Sequence, residues 1–130
     1  YNEPELTVVV AEVLQTVTPH REGGRPLTLE AGIVRVADAL DMAKGRSRIP
    51  FERGSASIHA VSAAAIDSVS ITNGESRPVL IEVVMTNPAG LYQVEELLKG
   101  KLRGSGLEPY VEVVARVEGE TETREYRLEP

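Results

Sequence analysis

The sequence has no cysteine. Thiol nucleophiles, thiolate-held metals and a disulfide scaffold are therefore excluded. Histidine is nearly as scarce, with His20 and His59 the only two in 130 residues. Aromatic residues number five, four Tyr and one Phe. Tyr92, Tyr110 and Tyr126 fall on different expected elements, so they build no base-stacking platform. No apolar run approaches the ~20 residues needed to cross a bilayer, and no charged-then-apolar segment opens the chain. No membrane partner is expected, and a cytoplasmic location is. An excess of positive charge is missing too. Fourteen basic residues against 20 acidic ones give a net charge of -6, which argues against nucleic acid as a partner. There is no P-loop, dinucleotide fingerprint, zinc motif or nucleophile elbow.

What is present suits a globular chain. The apolar share is 42% and the charged share 26%, enough for one domain, or one domain plus part of another, with a core that needs no staple. The chain opens Tyr1-Asn2-Glu3-Pro4 without an initiator Met. A trimmed start and a piece of a longer polypeptide both account for that, and the motif described below favours the piece.

Apolar spacing divides the chain near residue 53. Residues 4–18 carry Leu6, Val9, Val10, Val13, Leu14 and Val17 at helical intervals, with Asn2 and Pro4 as a start; Val8-Val9-Val10 competes as a strand signal. A loop at 20–26 holds Gly23, Gly24 and Pro26. A second helix is expected from Thr28 as N-cap to Gly45, with Ile33, Val36, Ala37 and Leu40 facing the core. A short helix over 57–65 follows, on the spacing of Ile58, Val61 and Ala65, with His59 as a structural residue. From residue 66 the period changes to two. Strands are expected over 66–72, 78–86, 110–117 and 121–128, with Asn73-Gly74 as a turn after the first. Between the second and third strands, Asn87-Pro88 opens a helix with Leu91, Val94, Leu97, Leu98 and Leu102 on one face, closed by Gly104 and Gly106. The expected class is α+β. N-terminal helices over 1–53 precede an α+β unit over 54–130, a short helix and then β-β-α-β-β in a ferredoxin-like sandwich, with two strands parallel across a crossover helix.

Acid usage singles out one stretch. Of the 20 acidic residues 17 are Glu, and the three Asp are Asp38, Asp41 and Asp67. Asp38 and Asp41 lie three apart in an apolar helix and would share one face. The stretch from His20 through the Gly-rich loop to Val34-Arg35-Val36-Ala37-Asp38-Ala39-Leu40-Asp41 resembles the last third of an HD-superfamily metal-dependent phosphohydrolase. The resemblance implies that Asp38 is the closing ligand of a divalent metal (Mn, Mg, Ni or Fe), with His20 as a further ligand. It also implies Asp41 and Lys44 as catalytic groups on the phosphate side. Lys44, Arg46, Arg48 and Arg53 crowd four basic residues into ten positions, and Arg46 and Arg48 would hold phosphate oxygens. The His-Asp pair of that superfamily is absent from the chain. The resemblance covers about residues 5–50, and it implies the C-terminal portion of an HD protein whose front half lies outside this sequence. Read from the residues alone, Asp38 is equally an exposed helix residue paired with Arg35 or Lys44, and the basic run a solvated loop.

A second stretch, Met85-Thr86-Asn87-Pro88-Ala89-Gly90-Leu91 with its flanking strands, is similar to small ACT-like regulatory modules. Two functions follow. One is hydrolysis of a small-molecule phosphate ester or nucleotide, incomplete in this chain by itself. The other is a non-catalytic α/β dimerisation or small-ligand-binding module. In either case a homo-oligomer, or association with the missing N-terminal half, is the expected partner state.

Overall fold

The computed structural model describes residues 2–18, 24–43, 58–119 and 123–128. Helix α1 spans Glu3–Val17. Its start resolves the conflict posed by the three valines. The Asn2 side chain accepts from the Glu5 amide at 3.0 Å while the Glu5 carboxylate accepts from the Asn2 amide at 3.0 Å. That reciprocal cap fixes the first turn, and the valines follow it into the helix. Helix α2 spans Leu29–Leu40, with the Thr28 hydroxyl accepting from the Ala31 amide at 3.2 Å. Helix α3, Ile58–Ala65, runs directly into strand β1, Ile66–Asn73. Strand β2 is Val79–Met85, β3 is Val111–Glu118 and β4 is Thr123–Leu128.

Between β2 and β3 lies the crossover helix, introduced by Asn87, whose side chain accepts from the Ala89 amide at 2.9 Å. It comprises a 3-10 turn at Pro88–Gly90, a π-helical stretch at Gln93–Lys99 and a closing α-turn at Gly100–Leu102. The wider π winding differs from the plain α-helix expected there. Gly104 and Gly106 have φ of 70° and 81°, a conformation open to glycine at little cost, and they turn the chain toward β3.

The four strands form one sheet in chain order. β1 and β2 are antiparallel, β2 and β3 parallel, and β3 and β4 antiparallel. A parallel central pair between antiparallel edges is the strand layout of a ferredoxin-like sandwich, and the class is α+β as expected. Ile81, Val83 and Met85 of β2 with Val111, Val113, Ala115 and Val117 of β3 point into the core. Val94, Leu98 and Leu102 of the crossover helix cover them. The opposite sheet face carries ion pairs on diagonal register neighbours, Arg116 to Glu82 and Arg127 to Glu112, each at 3.0 Å.

Helix α2 shares that core. Val36, Ala39 and Met42 pack with the sheet and crossover residues, and α2 lies so close to the 104–106 turn that a Cβ at Gly32 would overlap the Ser105 carbonyl oxygen. The packed face therefore differs from the expected one. Ala31, Gly32, Val36 and Ala39 are buried, whereas Ile33 and Ala37 are exposed and Leu40 is half-buried. Small residues win because the approach is close, and the larger Ile33 is turned aside. The same holds in α3, where Ala60, Ser62, Ala63 and Ala65 are buried and Ile58 and Val61 are not. The expected boundary at residue 53 lies outside the described residues, as does the His59 side chain.

Candidate functional site

The site is built on α2. One face of this helix is fixed to the core by Gly32, Val36 and Ala39, with Met42 just beyond its end, which leaves Asp38 exposed. Its carboxylate lies 3.9 Å from the ammonium of Lys101, on the last turn of the crossover helix. Lys101 is largely enclosed, with 13% of its side chain exposed against 42% for Asp38. Among the described residues, Lys101 and not Arg35 is the partner the structure gives Asp38; Lys44, the other partner considered from the sequence, lies outside them.

Arg35 is used differently. Its guanidinium Nη1 donates to the Gly24 carbonyl oxygen, tying α2 to the loop ahead of it. Among the described residues its Nε is buried without a hydrogen-bond acceptor, which is costly for a guanidinium N–H.

Asp41 closes the helix instead of lying within it. The helix ends at Leu40, and Asp41 is its C-cap, with φ -77° and ψ 59°. Its amide donates to the Asp38 carbonyl oxygen at 3.4 Å. That bond keeps Asp41 on the closing turn, and its ψ turns the chain off the helix axis only beyond it. His20, Lys44, Arg46, Arg48 and Arg53 lie outside the described residues. Among the described residues, no group of three or more His, Asp or Glu side chains is arranged to hold a metal ion. Asp38 alone supplies one oxygen ligand, short of the set that a tight divalent site requires.

The chain is 47% identical over 120 residues to an uncharacterized protein of Methanocaldococcus jannaschii. The match takes in 92% of this chain and 46% of that protein. The chain thus spans about half the length of the curated relative it matches. No family model and no solved structure matches it.

Two features beside the site were not read from the sequence. The first is Lys101. It lies 63 positions beyond Asp38, and a lysine between Leu98 and Leu102 reads only as the polar edge of an amphipathic helix. The second is an apolar groove of about 420 Å³ between α2 and the sheet, lined by Ile33, Ala37, Leu40, Ile71, Leu107 and Tyr110 among others. Its α2 wall includes the residues expected in the core, so the helical periodicity marked an apolar face correctly and misjudged what that face meets. Among the described residues no helix is long and apolar enough to cross a membrane.

Proposed function

We propose that this chain is the C-terminal portion of an HD-type metal-dependent phosphohydrolase, a cytoplasmic enzyme acting on a small phosphate ester such as a nucleotide, with Asp38 as the closing metal ligand. The observation that carries the reading is the setting of Asp38. It is an exposed carboxylate on a helix with one face locked against a core, within Val34-Arg35-Val36-Ala37-Asp38-Ala39-Leu40-Asp41. A ligand held on such a rigid element keeps its geometry without rearrangement. A divalent metal bound there would polarise the phosphate and lower the pKa of a bound water. The remaining ligands, His20 apart, belong to the part of the longer polypeptide that this chain does not contain, and the length of the M. jannaschii relative supports such a part. Arg46 and Arg48 are the proposed phosphate contacts, and Asp41 and Lys44 the groups on the substrate side. Lys101 keeps the Asp38 carboxylate partnered until the metal arrives.

The test is Asp38→Ala in the complete polypeptide. Mn²⁺-dependent hydrolysis should fall to background, while the loss of a half-exposed ion pair with Lys101 should cost about 0–1 kcal/mol of stability. Asp41→Ala should lower turnover by about 10- to 100-fold, the range for groups that orient a ligand. Full hydrolysis in Asp38→Ala ends the assignment.

The apolar groove favours a second reading, a module that binds an apolar small molecule and carries out no chemistry. Under it, Asp38→Ala is silent and filling the groove with Ala37→Phe abolishes ligand-dependent stabilisation.

A further inference from the structure

Helix α1 buries none of its fifteen residues. Leu6, Val10, Val13 and Leu14 expose 51%, 47%, 54% and 60% of their surface. At 100° per residue, Leu6, Val9, Val10, Val13 and Leu14 form an arc roughly 140° wide, broader than the stripe by which a surface helix packs, with Glu3 of the first turn the one charge within it. Val8, outside the arc, is 62% exposed. Eleven of the sixteen large apolar side chains exposed among the described residues lie between residues 6 and 34. Leu14 of α1 and Leu27 line one shallow groove between α1 and the segment ahead of α2. The sheet presents the opposite pattern, an outer face of paired charges.

We infer that α1 is a docking helix for the half of the longer polypeptide that this chain does not contain, and that it is buried between helices of that half along the Leu6, Val10, Val13, Leu14 arc. The relative supplies the occupant: the matched segment is 46% of that protein, which leaves more than half of it to cover the surface. A second copy of this chain fits less well. Two paired 15-residue helices, each about 22 Å long and about 10 Å across, offer a few hundred Å² a side, well short of the ~800 Å² per partner of a stable interface. The inference shares with the proposed function only the premise of a longer polypeptide, not its chemistry.

The experiment compares the product of the complete open reading frame with the 130-residue chain by amide hydrogen exchange and thermal melting. Amides of α1 should exchange about 100-fold more slowly in the complete product, unchanged over a ~100-fold range of protein concentration. Val13→Glu should lower the Tm of the complete product by about 5 °C or more and leave that of the 130-residue chain unmoved; Val13→Ala gives a milder version should the charged variant not fold. Equal exchange in both proteins, protection that grows with concentration, or a reading frame no longer than this chain would overturn the inference. A complete product with a protected α1 but no hydrolysis would end the phosphohydrolase reading and leave the docking helix standing.

Discussion

Helix α1 and the crossover helix carry nearly the same pattern. Each has five or six aliphatic side chains at intervals of three and four, a good cap and flanking glutamates. In the crossover helix, Val94, Leu98 and Leu102 are at most 2% exposed. In α1 nothing is buried. The difference is not in the helices but in what the chain supplies to cover them. Strands β2 and β3 provide an aliphatic floor for the crossover helix, whereas among the described residues α1 meets α2 and the segment ahead of it and gains no such floor. Each Val or Leu fully buried is worth roughly 1.5–3 kcal/mol, so leaving α1 bare forgoes an amount comparable to the stability of a whole domain. Periodicity tells which face seeks burial. It is silent on whether the partner is in the same chain.

The sharpest way to break that comparison is truncation of one leucine in each helix. Leu98→Ala removes a fully enclosed side chain among Val83, Met85 and Val113, and it should cost about 3 kcal/mol, within the ~2–5 kcal/mol typical of core leucines. Leu14→Ala in the 130-residue chain should cost under about 0.5 kcal/mol, because the side chain is already in water. Urea unfolding followed by circular dichroism gives both numbers. Equal costs would mean that α1 is covered after all, by another copy.

A smaller effect concerns how α2 joins the core. Alanine in place of glycine within a helix ordinarily stabilises by about 1 kcal/mol. At Gly32 the added Cβ would overlap the Ser105 carbonyl and come within 3.0 Å of its carbon, so α2 or the 104–106 turn must move. Overpacking of that kind costs about 1–3 kcal/mol. The net expectation for Gly32→Ala is a destabilisation of up to about 2 kcal/mol, read from the same urea curves. A stabilised variant would show that α2 is as loosely held as α1.

The order of elements was legible because local signals agreed. Asn87-Pro88 starts a helix, Gly104 and Gly106 end one, and alternation from Ile66 onward marks strands. The faces of α2 and α3 were legible only in part, through Val36 and Ala65. In both, alanine, glycine and serine make the contact while Ile33, Ile58 and Val61 are displaced outward, and a reading by hydrophobicity ranks those residues the wrong way round. The candidate site was legible only as far as Asp38. Its spacing to Asp41 was legible as well, but not that the helix ends between them, with Asp41 as the C-cap. Lys101 was invisible because the meeting of α2 with the crossover helix is a long-range event with no local trace.

The smallest effect separates the two helix caps. Thr28 caps α2 and Asn2 caps α1, and both are the residue types that satisfy orphan amides at a helix start. Thr28→Ala removes the acceptor of the Ala31 amide from a helix packed into the core. Unfolding of the whole domain should then become easier by about 1 kcal/mol, a Tm shift of about 3–6 °C. Asn2→Ala removes the side-chain acceptor of the Glu5 amide, one half of the reciprocal cap, from a helix that opens without exposing any core residue. Local opening of that kind is uncoupled from global unfolding. The Tm should therefore stay put while the amides of residues 3–6 exchange faster and helical ellipticity falls slightly. In the complete polypeptide, where α1 is proposed to be packed, the same Asn2→Ala should acquire a Tm shift comparable to that of Thr28→Ala. A shift already present in the 130-residue chain would mean that α1 and the core unfold as one unit, and the contrast between the two helices would be one of exposure alone, not of stability.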